Sequence, residues 1–217
     1  MRSFRLTAVL LTLCLLPAWV HSREEILHVN VQKMDGTIMV ERAKNQKQEA
    51  LQTREVVERG DVVVVYDKSW VILKSPKGDL IGLEGPTKVT FEELYKGGSD
   101  RQLRLNLHHG KAYLRSKKSG SRQSFFEVSA GGCMIQLEKC KLLVDFEPKK
   151  NVLEIQFHDG NEKTLVVDGV GEQRFPFREC KRVWENGRLT QEDPVALDEK
   201  DLIAFKGFFA GALPKVR

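Results

Sequence analysis

Between Val56 and Glu84 the chain reads VVERGDVVVVYDKSWVILKSPKGDLIGLE, with three short apolar runs cut apart by turn formers. The runs are Val62–Tyr66, Trp70–Lys74 and Asp79–Glu84. They are too short for helices and rich in Val, Ile, Leu and Trp, which is the signature of strands. Gly60-Asp61 opens the set, and Asp67-Lys68-Ser69 and Ser75-Pro76-Lys77-Gly78 separate its members. Strand side chains alternate in direction, so Ile81 and Leu83 share one face, with Leu80, Gly82 and Glu84 on the other. Only one of those faces is strongly apolar, so this stretch needs a second layer to cover it.

The same texture runs on both sides. Ile26–Val31 and Thr37–Val40 flank Asp35-Gly36, a hairpin signature. Glu41–Glu55 is polar and lysine-rich and reads as an exposed connection with a short extended piece. Further runs are Thr87–Phe91, Leu103–Leu107, Ala112–Arg115, Phe125–Ser129, Cys133–Leu137, Lys141–Phe146, Leu153–Phe157 and Thr164–Val167. The breaks between them are a polar insertion at Tyr95–Asp100, a turn at His108-His109-Gly110, a basic loop at Lys117–Gln123, and Gly131-Gly132, Pro148–Asn151 and Asp159-Gly160-Asn161. About a dozen strands at this spacing predict an all-β fold, with many short antiparallel strands in a sandwich or roll. Strands do not alternate with helices, so a parallel nucleotide-binding sheet is excluded. From Gln173 the texture changes. Arg174-Phe175-Pro176-Phe177, Trp184 and Asn186-Gly187 suggest one more hairpin. Asp198 reads as the N-cap of a short C-terminal helix, Glu199–Lys206, stopped by Gly207. Phe205, Phe208 and Phe209 should dock on the domain's own surface.

At 217 residues, 41% of them hydrophobic and 30% charged, the composition is that of a globular protein with one sizeable core. Residues 1–22 read as a cleavable signal peptide. Arg2 and Arg5 precede the apolar run Leu6–Val20, Pro17 breaks it, and Val20-His21-Ser22 ends in smaller residues. The body is then 23–172 and the hairpin and helical tail 173–217. Export to the periplasm or cell exterior follows. Loss of Arg2 and Arg5 lowers the basic count from 35 to 33 against 30 acidic residues, so the net charge falls from +5 to +3. So small an excess gives no reason to expect a nucleic-acid partner. No later run reaches the roughly 18 apolar residues of a membrane span.

Three cysteines lie beyond the leader: Cys133, Cys140 and Cys180. Export permits a disulfide, and the odd count leaves one thiol over with the pairing open. Cys133–Cys140 closes the shortest loop, whereas Cys140–Cys180 would staple the tail to the body and constrain more of the unfolded chain.

The residues offer little catalytic chemistry. His108-His109 point opposite ways on a strand end and lack a third ligand in tight spacing, so they read as turn residues rather than a metal pair. The cysteines lack a CxxC spacing. Glu24-Glu25 and Glu92-Glu93 read as surface charge, and neither a Gly-x-Ser-x-Gly elbow nor a glycine-rich phosphate cradle occurs. The expectation is a protein without enzymatic activity, metal or cofactor. Arg115, Lys117, Lys118 and Arg122 crowd one loop, which with Tyr113 nearby is a candidate contact for anionic polysaccharide or lipid headgroups. Open strand edges are a second candidate surface.

The order of strands and turns resembles the FecR domain, the periplasmic sensor module of FecR-family regulators. Its opening strand-turn-strand with a downstream alanine is similar to Val29–Val40 followed by Ala50. Its V-x-x-G-D before hydrophobic strands resembles Val57-Glu58-Arg59-Gly60-Asp61 and Val62–Leu73. Its D-G-S-x-I-x-L strand resembles Lys77-Gly78-Asp79-Leu80-Ile81-Gly82-Leu83, with the dipeptide shifted to Gly-Asp. Its L-x-x-G-x-A turn resembles Leu107-His108-His109-Gly110-Lys111-Ala112, and its F-x-V-x-(T/S) strand resembles Phe126-Glu127-Val128-Ser129. The family's V-x-G-T-x-F-x-V segment is replaced by Ile135-Gln136-Leu137-Glu138-Lys139-Cys140-Lys141-Leu142. The resemblance spans roughly Val29 to Val167 and marks Gly60, Asp61 and Gly110 as structural positions. It implies an exported β-module that binds another envelope protein, here without the transmembrane and anti-sigma segments that usually precede it. An anionic-ligand module and a purely structural envelope protein are the alternatives.

Overall fold

The computed structural model describes residues 25–26, 28–96, 102–117, 125–160, 165–175, 179–190 and 193–210. Residues 1–22, read from the sequence as a signal peptide, lie outside them. Among the described residues are eighteen strands and one helix. In the first half of the chain they are β1 (Glu25–Ile26), β2 (Val29–Asp35), β3 (Ile38–Glu41), β4 (Gln48–Ala50), β5 (Val56–Val57), β6 (Val62–Val65), β7 (Trp70–Lys74), β8 (Leu80–Lys96) and β9 (Gln102–Arg115). The second half supplies β10 (Phe125–Ala130), β11 (Cys133–Gln136), β12 (Lys141–Glu147), β13 (Val152–Asp159), β14 (Leu165–Val167) and β15 (Glu172–Arg174). After these come β16 (Cys180–Glu185), β17 (Arg188–Leu189), β18 (Val195–Ala196) and the helix α1 (Glu199–Ala210). The all-β expectation holds: the fold is strand-rich, mixed to antiparallel, and not a closed barrel.

Two long strands organise the rest. The first half of β8, Leu80–Glu84, pairs with β7 and with the second half of β9, Lys111–Arg115. Beyond a bend, β8 pairs instead with β6 and with the first half of β9. One layer therefore runs β5-β2-β7-β8-β9-β12-β13-β16, with β17 and β18 on the far side of β16. The other runs β4-β3-β6-β8-β9-β10-β11-β14-β15, and β1 pairs with the end of β8. The β9–β10 pair is parallel; the other described pairs are antiparallel. Val63, Val65, Leu73, Ile81, Leu83, Phe91, Leu105, Phe126, Ile155 and Trp184 belong to one continuous buried core. Each such side chain contributes about 1.5–3 kcal/mol of hydrophobic stabilisation.

The bend corrects two readings of the sequence, and the strand pairing a third. Leu80–Glu84 and Thr87–Phe91 belong to one strand, folded over at the cis Gly85-Pro86 bond. His108-His109-Gly110 does not reverse the chain; β9 runs through it. Gly110 has φ +93°, and a Cβ there would overlap the Pro86 carbonyl oxygen and Thr87 Oγ1. Thr87 Oγ1 fastens the corner, accepting from Lys111 N at 2.9 Å and donating to the Glu84 carbonyl. Nor do β2 and β3 form a hairpin, because β2 pairs with β5 and β7 and β3 with β4 and β6. Gly36 (φ +83°) turns the chain from one layer to the other, where Ser69 Oγ accepts from Thr37 N at 2.8 Å. A glycine turn is compatible with either course, and covering two apolar faces requires the crossing.

Asp198 does cap α1, accepting from Asp201 N at 2.8 Å. Gly207 does not end it, since the helix continues to Ala210. A glycine inside a helix costs about 1 kcal/mol, and here the continuation carries Phe208 onto the sheet.

Candidate functional site

The turn before β6 is built on Asp61, which is only 2% exposed. Its carboxylate accepts from Ala43 N at 2.9 Å, Glu58 N at 3.0 Å and Arg42 Nη1 at 3.0 Å. Arg42 also donates to the Val56 carbonyl at 2.7 Å and pairs with Glu49. Gly60 (φ +84°) leaves room beside Ala43, whose Cβ would stand 2.8 Å from a Cβ added there. Gly60 N donates to the Phe91 carbonyl at 2.7 Å, which ties this turn to β8. Gly60, Asp61 and Gly110 thus sit at corners of the fold.

The three cysteines are all buried in the main core. Cys180 opens β16 opposite Phe157, while Cys140 precedes β12 on the other flank of β13. Burial, and secondarily Asp168, pushes the Cys133 thiol up to about 11, far from a reactive thiolate. Of the basic loop, Arg115 ends β9 and Lys117 N donates to Asp79 Oδ1 at 2.9 Å. Asp79 is itself buried and accepts from Ser75 Oγ at 2.8 Å. The loop therefore starts from a fastened point on the β7–β8 turn. Lys118 and Arg122 lie outside the described residues.

The most developed surface feature is one the residue pattern did not reveal. On the outer face of the first layer, Ile72, Gly82, Tyr113, Leu143, Gln156 and Lys181 stand side by side across β7, β8, β9, β12, β13 and β16. Helix α1 lies over this row. Phe208 stacks on Tyr113 with ring centroids 4.0 Å apart and meets Trp70 edge-on at 6.2 Å. Phe205 stacks on His158 at 3.9 Å. Ile72, Tyr113, Leu143, Phe205 and Phe208 form a second apolar cluster, separate from the main core.

Polar groups are stitched into this cluster. Tyr113 OH donates to Glu84 Oε2 at 2.6 Å, and burial together with that carboxylate raises the phenol's pKa. His158, 7% exposed, lies 3.2 Å from Gln156 Oε1 through Nε2. Burial, then Lys141 and Lys206, lowers its pKa to about 4, so the ring is neutral near pH 7. Beside α1 is a recess of about 390 Å³ lined by residues including Lys141, His158, Asp159, Glu179 and Lys206. Lys141 Nζ is 2.9 Å from Asp159 Oδ2, so charges of both signs meet at its rim. Among the described residues no group of three His, Cys, Asp or Glu is placed to hold a metal. In the sequence Tyr113 stands out only as an aromatic near the basic loop, and His158 does not stand out. The available signal was the outward apolar residue on three strands, Ile72, Tyr113 and Leu143, with Phe205 and Phe208 on one helix.

No protein-family model matches the chain, and no curated protein matches it significantly in sequence. Among solved structures it is similar to two crystal structures of a candidate anti-sigma factor from Parabacteroides distasonis ATCC 8503. Both superpose with a TM-score of 0.53 at 13% identity over 67% of this chain. The match spans 64% of that protein in one structure and 63% in the other. At this identity the likeness is one of fold.

Proposed function

We propose that this chain is an exported, non-enzymatic β-module of the FecR type that acts in regulation or envelope assembly by binding another envelope protein. The carrying observation is the fold likeness to a candidate anti-sigma factor. The sequence motifs that resemble the FecR domain fall on the Gly60-Asp61 turn and the Gly110 corner, where buried hydrogen bonds and positive φ account for those residues.

A contact surface consistent with this role is the edge of β4, whose one partner among the described strands is β3. Leu51 N donates to the Ile38 carbonyl and Arg42 N to the Lys47 carbonyl, both at 2.9 Å. Antiparallel alternation then turns the backbone N–H groups of Gln48 and Ala50 away from β3. An edge of this kind accepts an added strand. The test is crosslinking capture from native envelope with residues 23–217, wild type against Ala50→Pro. Proline removes an outward donor and leaves the β3 ladder intact. The expected result is one reproducible envelope partner that is lost in the variant while the circular dichroism is unchanged. No reproducible partner with folded wild-type protein would overturn the reading.

A further inference from the structure

At one end of the sandwich, three turns from separate parts of the chain meet the middle of β9. The β10–β11 turn brings Gly131 and Gly132, the β12–β13 turn Asn151, and the β16–β17 turn Asn186 and Gly187. Together with Asn106 and His108 of β9 they frame a shallow groove of about 510 Å³. Such a volume is within the range of small-ligand sites. None of the lining side chains carries a formal charge, although 30% of the residues of the chain do. An anionic ligand would find no counter-charge in this groove.

The groove is held in shape. Asn186 N donates to the Asn151 carbonyl at 2.9 Å, and Asn151 Nδ2 donates to Asn186 Oδ1 at 3.1 Å. Each amide has more hydrogen-bonding capacity than this pair uses, so acceptor and donor capacity remain whichever way the two amides are turned. His108 Nε2 is held 2.7 Å from Thr90 Oγ1. Phe146 forms the apolar floor: it belongs to the main core and is 9% exposed, and its Cε2 would lie 2.8 Å from a Cβ added at Gly131.

Mixed donors and acceptors without charge, beside a small aromatic surface, match a sugar, which presents hydroxyls around its edge and C–H groups on its face. A peptide added as a strand would need a free ladder, and β9 is already paired with β8 and β10 at Asn106. We propose that this groove binds a short, neutral saccharide, through the amides of Asn106, Asn151 and Asn186 and the imidazole of His108, with Phe146 under the sugar face. The proposal is independent of the protein partner at β4.

The test is NMR titration of residues 23–217 with neutral glucan, galactan, mannan and chitin fragments, an anionic glycan series and an unrelated soluble peptide pool. His108→Ala and Asn186→Asp are the variants. The second keeps a residue tolerant of positive φ and adds a charge without changing shape. The expected result is saturable shifts at Asn106, Gly132 and Asn186 with one neutral class, and binding about three- to tenfold weaker in each variant, as for a lost hydrogen bond. No neutral fragment binding at 10 mM (roughly the weak end of fragment recognition) would overturn the proposal. Binding only of anionic glycans or peptides, or binding that both variants leave unchanged, would also overturn it. Ala50→Pro should leave this titration unaltered, so failure here and failure of the partner reading are distinguishable.

Discussion

Gly82 lies directly beneath the ring of Phe208, so close that any Cβ on residue 82 would overlap Phe208 Cε1. The helix can lie flat on the sheet because one strand position has no side chain. Gly82→Val should push α1 off Tyr113 and Trp70 and cost about 1–3 kcal/mol, in the manner of an overpacked core. Phe208→Ala should cost about 3–5 kcal/mol. Urea denaturation of both variants checks this, and limited proteolysis should cut the released tail first. Unchanged urea midpoints and unchanged cleavage would show that α1 contributes nothing to stability.

Gly110 and Gly132 both have positive φ, at +93° and +81°, but only Gly110 is enclosed. Gly132→Ala should cost only the backbone penalty, about 1–2 kcal/mol. Gly110→Ala adds a clash with the Pro86 carbonyl and should destabilise more, or prevent folding. Comparing soluble yield and thermal midpoints of the two variants separates the contributions.

Asp61→Ala leaves the Ala43 and Glu58 N–H groups and the Arg42 guanidinium without their shared acceptor. Breaking a buried, hydrogen-bonded ion pair from one side costs about 3–5 kcal/mol. The effect should appear in chemical denaturation. Hydrogen exchange should rise first at Ala43 and Glu58.

His158 gives the fold a pH dependence of definite sign. Its folded pKa, about 4, lies below the ordinary histidine value of 6.5, so the unfolded state takes up the proton first. Stability is full above about pH 6.5 and falls as pH drops towards about 4, by up to about 3 kcal/mol from this group. Asp145, whose carboxyl is raised chiefly by burial, acts in the opposite sense at the acid end. Denaturation midpoints measured from pH 7.5 to 4 should show the slope, and His158→Phe should remove most of it.

Much of the local structure was legible in the residues. Asn186-Gly187 makes a hairpin turn with both residues at positive φ, and Asp198 caps the helix it was expected to cap. The apolar face of Ile81 and Leu83 does face the core. These depend on neighbours within a few positions, so a linear reading reaches them. The α1 face, by contrast, joins Ile72, Tyr113 and Leu143 from three strands; Tyr113 and Leu143 each look like an isolated apolar residue on a charged side, and only Ile72 has an apolar neighbour, Trp70, on its side.

The sequence by itself determined the period-two alternation, hence the strands, their inward faces and the all-β class. Only the tertiary structure decided the layer to which each strand belongs. Glycine at residues 36 and 110 permits a hairpin, a crossing or a bend at similar local cost. The choice is made by non-local pairing, with β8 and β9 folded across both layers so that two apolar faces close on one core. The same long-range assembly brings Asn106, Asn151 and Asn186 to one groove and lays Phe208 on Gly82, because contacts between residues far apart in the chain arise only when the sheets have formed.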